Sequence, residues 1–140
     1  MGKSRPDYER EVRFQRANMP SKLQIRWLKE PEEHDYPASE SYLNLLFPPK
    51  EVARLVRKLR GAPVTVFKAK DIFRASRLAL LGVSNLHVER NRKKIKAGKS
   101  LSPLLLVRDG NGGLIIADGY HRICSVYGFD EDALIPSKIV

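Results

Sequence analysis

The chain has 140 residues, 42% of them apolar, and a formal excess of ten positive charges, which suits a single domain with a real hydrophobic core. No apolar run is long enough to cross a bilayer, and the first residues lack the apolar stretch of a secretion signal. One cysteine, Cys124, excludes both an intramolecular disulfide framework and a multi-cysteine metal centre, so the expectation is a cytoplasmic protein with no membrane partner. The basic excess favours anionic partners such as nucleotides, nucleic acid or acidic proteins.

Residues 1–37 read as a basic arm. Lys3, Arg5, Arg10, Arg13, Arg16, Lys22, Arg26 and Lys29 alternate with few acids, while Pro6, Pro20, Pro31 and Pro37 interrupt any long helix. Contact with DNA or a protein partner is one role open to this arm, a solvated charged face being the simpler one, and Trp27 is expected to anchor it by packing on the domain. Glu32-Glu33-His34-Asp35 has the composition of a metal cluster but no helical or hairpin framework to fix it, which predicts a solvated acidic turn.

Residues 38–140 read as one mixed α/β domain. Ser39 is placed to cap a short helix carrying Tyr42, Leu43, Leu46 and Phe47, ended by Pro48. Pro49 then opens a second helix, with Val52, Leu55, Val56 and Leu59 as one apolar stripe and Gly61 as its stop. A strand follows at Pro63–Phe67. Asp71 is expected to cap a helix through Ile72, Phe73, Leu78 and Leu80 toward Gly82. Ser84 opens a further helix, thinly apolar at Leu86, Val88 and Ile95 and basic at Arg90, Arg92, Lys93, Lys94 and Lys96. The apolar run Pro103–Val107, the turn Asp109-Gly110-Asn111-Gly112-Gly113 and the run Leu114–Ala117 predict a β-hairpin. A helix through Ile123, Cys124, Val126 and Tyr127, stopped by Gly128, and a strand at Ile135–Val140 complete the chain.

The corner between the last hairpin strand and that helix, Asp118-Gly119-Tyr120-His121-Arg122, carries the chemistry. A glycine at a strand-to-helix bend admits close approach to the backbone, and the unpaired amides and positive dipole end of the new helix attract an anion. His121 and Arg122 add side-chain donors suited to phosphate. Gly119, Tyr120, His121 and Arg122 are therefore the expected phosphate contacts. Asp118 is the candidate catalytic group, holding Mg²⁺, orienting His121 or acting as general base; its simpler role is a turn-former that caps the helix. A salt-bridged helix surface is the simpler role of His121 and Arg122. Lys68, Lys70, Asp71, Arg74 and Ser76 are read as further ligand contacts on a neighbouring strand end and helix.

Taken in order, Leu101-Ser102-Pro103-Leu104-Leu105-Leu106-Val107, the hairpin, the Asp118–Arg122 corner and the ending Ile135-Pro136-Ser137-Lys138-Ile139-Val140 resemble the ParB/sulfiredoxin superfamily, including its ParB-like nuclease-type domains, over residues 63–140. The resemblance implies a small mixed sheet with packed helices and nucleotide phosphates held near Tyr120 by His121 and Arg122. Sulfiredoxins place their catalytic cysteine where this chain has Tyr120, and a phenol cannot replace a thiolate, so sulfiredoxin chemistry is not expected. Cys124 reads as a small core residue. The register puts His87, Arg90 and Lys94 where sulfiredoxins use Lys, Ser and Thr. ParB proteins add a helix-turn-helix domain for which these residues leave no room. The Asp-Gly-x-His-Arg form is similar to ParB-like free serine kinases. The function expected is that of a nucleotide-binding protein taking ATP, ADP or CTP with Mg²⁺, as a phosphotransferase or NTPase. The alternatives are a DNA-associated, nuclease-like protein and a non-catalytic, nucleotide-gated interaction module.

Overall fold

Leu104, Leu105, Leu106 and Val107 are apolar and buried in succession, which requires cover on both faces of their strand. The computed structural model, which describes residues 24–82 and 85–140, meets that requirement with a mixed α/β arrangement. In chain order its elements are β1 (Arg26–Trp27), α1 (Asp35–Leu43), α2 (Pro49–Gly61), β2 (Thr65–Lys68), α3 (Ala69–Ser76), α4 (Leu86–Lys96), β3 (Ser100–Leu101), β4 (Leu104–Arg108), β5 (Leu114–Asp118), α5 (Tyr120–Phe129) and β6 (Leu134–Ile139). The main sheet has the order β2-β6-β4-β5, with β6 and β4 parallel and the outer pairs antiparallel. A small parallel pair, β1 and β3, adjoins it.

The pleat of β4 divides the core in two. Leu104 and Leu106 face a cluster with Ile72, Ile95, Ile123, Val126 and Ile135, contributed largely by α3, α4 and α5. Leu105 and Val107 face Tyr36, Leu43, Val52, Leu55 and Leu59 of α1 and α2. The apolar stripe of α2 is buried in full, as its spacing predicts. The hairpin turn is built on Asp109, whose Oδ1 accepts from the backbone amides of Asn111 at 2.7 Å and Gly113 at 3.0 Å.

Four elements differ from expectation, each for a local reason. Helix α1 starts at Asp35, not after Ser39: Pro37 falls in its first turn, where a missing amide costs nothing, and Tyr36 packs on the core. Ser39 is buried within the helix and donates to the Tyr36 carbonyl at 2.7 Å. Helix α3 starts before Asp71 because its first amides donate to Ala133 and Glu131 carbonyls, replacing a side-chain cap. It ends at Ser76, with Arg77 left-handed at φ 58°, so Leu78 and Leu80 lie outside it and are exposed. Helix α4 is capped by Asn85, whose Oδ1 accepts from His87 and Val88; only Val88 and Ile95 are buried, while Leu86 faces outward. Gly128 lies inside the last turn of α5, which stops at Phe129 where the Asp130 amide returns to Val126.

Of the segment read as an arm, Arg26–Trp27 pairs with Ser100–Leu101, Leu28 donates to Leu101 at 2.8 Å, and Trp27 packs on the core as expected. The basic positions Lys3 to Lys22 and the helix-opening role of Ser84 lie outside the described residues. Among the described residues no helix is long and apolar enough to cross a membrane.

Candidate functional site at the strand-to-helix corner

The corner is set by a break in register. Leu105 pairs with Asp118 but Leu106 pairs with Ile116, so an extra residue is accommodated in β5 and Asp118 is re-aimed just before the bend. Gly119 then takes φ +108° as the N-cap of α5. A Cβ there would meet Leu104 Cγ at 2.7 Å and Arg122 Nη2 at 3.0 Å, so both the backbone angle and the close approach require glycine. No side chain caps α5.

A cavity of about 220 Å³ opens at this point. Asp118, Gly119, Tyr120, His121 and Arg122 all line it, joined by His87 and Lys94 from α4. Sequence reasoning did not assign Glu32, His34, Asn91, Ser100 or Ser102 to the site, yet they line the same cavity. The structure does not bring Lys68, Lys70, Asp71, Arg74, Ser76 or Arg90 into it. β2 stands at the opposite edge of the sheet from β5, with β6 and β4 between, and α3 starts from that far edge. There Lys70 pairs with Asp132 at 2.7 Å, Ser76 donates to the Phe73 carbonyl, and Asp71 borders a separate apolar groove of about 460 Å³ with Phe67, Ile72 and Leu114. Arg90 is exposed on α4, outside the cavity.

Arg122 is not the free guanidinium that the corner suggests. Its Nη2 donates to Asp118 Oδ2 at 2.8 Å, one helical turn earlier, and lies 3.4 Å from the Pro103 carbonyl oxygen. Both side chains are about one-sixth exposed, at 17% and 16%. Arg122 Nε is buried with no hydrogen-bond partner. Asp118 also meets the carboxyl of Asp35, which is only 2% exposed. Burial pushes the Asp118 carboxyl above its ordinary range; Arg122 opposes this, and Asp35 adds to it.

The two imidazoles of the cavity, His87 and His121, lie with ring centroids 4.8 Å apart. Burial, and then the neighbouring His87, hold His121 below its ordinary value, so at neutral pH its ring is a neutral donor and acceptor. Helices α4 and α5 are tied by Ser125, whose Oγ lies 2.9 Å from the Val88 carbonyl oxygen and 3.0 Å from that of His121. Tyr120 uses its hydroxyl to donate to the Ala79 carbonyl, which makes it an anchor rather than a nucleophile. Burial raises both this phenol and the Cys124 thiol. Cys124 is 2% exposed, so iodoacetamide is expected to leave it unmodified in folded protein and to label it after denaturation. Rapid labelling of native protein would contradict the burial.

The turn before α1 is solvated at Glu32, Glu33 and His34, as its composition predicts, and departs from that only at Asp35. Asp35 is buried, and its Oδ2 accepts from the Glu32 amide at 2.9 Å, closing the turn on itself. His34 Nε2 then lies 3.1 Å from Glu32 Oε2 and 3.4 Å from Asp35 Oδ1. The only local signal for this was Asp35 at the start of a helix, where a carboxylate suits the exposed amides. Ser102 carried no chemical signal at all: it is 5% exposed, and its Oγ has no hydrogen-bond partner.

Comparisons with protein-family models, with curated proteins and with solved structures gave no match.

Proposed function

We propose that the cavity at the β5–α5 corner binds the phosphate groups of a nucleotide, ATP, ADP or CTP accompanied by Mg²⁺, and that the chain is a ParB/sulfiredoxin-like protein acting as a phosphotransferase or NTPase. The observation that carries this reading is the convergence of donors without capping partners. The uncapped start of α5, His121, His87 and Lys94 meet in one cavity, which Ser102 also lines. Its volume, about 220 Å³, is below the roughly 300–1,000 Å³ of pockets that enclose a whole drug-sized ligand. It suits a polyphosphate with the sugar and base lying across the rim.

Arg122 enters this reading as half of a pair. To meet phosphate oxygens its fork must exchange the Asp118 carboxylate for them, which links phosphate binding to a change at Asp118. Asp118 then becomes available for the roles its position suggests, as a ligand of Mg²⁺ or a general base toward a substrate hydroxyl.

The test is a thermal-shift panel of ATP, ADP, CTP and GTP, with and without Mg²⁺, on wild type, Lys94→Ala and His87→Ala. Both substituted side chains are exposed, so the variants should fold. A nucleotide at 100 times its dissociation constant should stabilise wild type by about 2.7 kcal/mol, and the variants less at equal concentration. No shift with any nucleotide, or equal shifts in all three proteins, would reject the site. Mg²⁺-dependent consumption of the bound nucleotide, lost in Asp118→Asn with binding retained, distinguishes an enzyme from a binding module.

A further inference from the structure

We infer that the outer face of α4 is a docking surface for the phosphate backbone of a double-stranded nucleic acid. From Arg90 to Lys99 the chain carries Arg90, Arg92, Lys93, Lys94, Lys96 and Lys99 and no acid. Arg92 is engaged, its guanidinium carbon lying 4.3 Å from the centre of the Phe129 ring. The others are exposed, and among the described residues none of them has an ion-pair partner. Glu89, the one acid of the helix, stands in its first turn and leaves Lys93, four residues on, unpaired.

The helical period gathers these cations. At about 100° per residue, Arg90, Lys93 and Lys94 fall opposite Val88 and Ile95, the two residues that α4 buries, and Lys96 falls on the flank away from Lys94. Arg90 is three and four residues from Lys93 and Lys94, so like charges are neighbours on the helix surface. Such pairs oppose helix formation, and a helix with two buried side chains keeps them nonetheless. A polyanion lying on the face turns that repulsion into attraction.

The chemistry of the face selects a nucleic acid over other polyanions. A helix that lies on a membrane needs a free apolar face, and Val88 and Ile95 are already buried, at 2% and 1% exposure. A protein interface is anchored by aromatic side chains and depleted of lysine at its centre; α4 has no Phe, Tyr or Trp, and Leu86 is its one large exposed apolar residue. Cations fanned from Lys94 to Lys96 across an exposed helix suit a duplex groove, whose two walls are both phosphate. The contact is to the backbone rather than to bases. Asn91, the residue of the helix suited to a base edge, donates its side-chain amide to the His87 carbonyl at 3.1 Å. Lys94 also lines the corner cavity, so the face borders the nucleotide site; Arg90, Lys93 and Lys96 do not line it, and the two proposals fail separately.

The experiment is fluorescence anisotropy of a labelled duplex of about 20 base pairs with full-length protein, from about 50 to 200 mM NaCl. Wild type should bind, with affinity falling steeply as salt rises. The variant Arg90→Gln/Lys93→Gln/Lys96→Gln should bind about tenfold or more weakly at the lowest salt, with a slope of log affinity against log salt shallower by about 2–3. It should melt no lower than wild type, since like-charge neighbours have been removed. Lys50→Gln/Arg57→Gln/Lys58→Gln removes the same charge from exposed positions of α2 and should bind within about threefold of wild type. No duplex binding at about 50 mM NaCl overturns the proposal. An α4 variant that binds like wild type also overturns it, by placing the contact elsewhere in the chain, and an equal loss in the α2 control does so by reducing the effect to net charge. Binding to phosphatidylserine vesicles with none to the duplex overturns it in favour of a membrane surface. A nucleotide panel that fails while duplex binding behaves as stated rejects the nucleotide reading alone.

Discussion

Gly119→Ala should be one of the most destabilising single substitutions in the chain. The residue sits at φ +108°, where an L side chain costs about 1–3 kcal/mol of backbone strain. The added Cβ also falls 2.7 Å from Leu104 Cγ, and Leu104 is fully buried at the start of the central strand, so it has nowhere to move. Strain and overpacking together predict a loss of about 3–5 kcal/mol in urea unfolding. Gly110→Ala provides the comparison. Gly110 has φ +85° in the hairpin turn but nothing within 4 Å of a built Cβ, so it carries the strain without the clash. A Gly119→Ala variant no less stable than Gly110→Ala would show that the corner is not pinned against β4, and the site geometry built on that contact would have to be abandoned.

What could be read from the chain follows the range of the forces involved. The α2 stripe at Val52, Leu55, Val56 and Leu59 and the Asp109–Gly113 turn are short-range patterns, and both appear as the residues dictate. The corner was legible for the same reason: a strand, Asp118-Gly119 and a helix are contiguous. Elements whose ends are fixed by distant backbone were not. Helix α3 starts where Ala133 and Glu131 carbonyls accept its amides, and no residue near Asp71 reports that. Lys68, Lys70, Asp71, Arg74 and Ser76 were assigned to the site by proximity in an assumed topology, and the strand order β2-β6-β4-β5 removes them from it. The converse omission concerns Glu32 and His34, which line the cavity. Their framework is tertiary, since the β1–β3 pairing brings the chain just before them alongside Ser100 and Leu101. Ser102 is a further case of this kind: its burial depends on what surrounds β3 and β4, not on its neighbours in sequence.

Arg122→Ala should destabilise the protein even where no ligand is present. The guanidinium is the cation that accompanies two carboxyls, Asp118 at 2.8 Å and, through it, the buried Asp35. Removing one partner of a fully buried pair costs about 3–5 kcal/mol, and because both side chains here keep one-sixth of their exposure, a loss of about 2–3 kcal/mol is expected. Most of that loss is the stranded Asp118 charge rather than lost packing. Asp118→Asn placed in the Arg122→Ala background removes the charge and should recover stability, giving a coupling of about 1–3 kcal/mol in a double-mutant cycle by urea unfolding. Additive losses would mean that the pair is not coupled and that Arg122 is held by its contacts near Pro103 instead. The same cycle bears on function. If a phosphate must displace Asp118 from the guanidinium, Asp118→Asn alone weakens the competitor and should bind inorganic phosphate or nucleotide more tightly than wild type, while Arg122→Ala binds more weakly. An Asp118→Asn variant with unchanged affinity would leave Arg122 as a strut of the corner, and the anion would then have to be held by the α5 amides, His87, His121 and Lys94 without it.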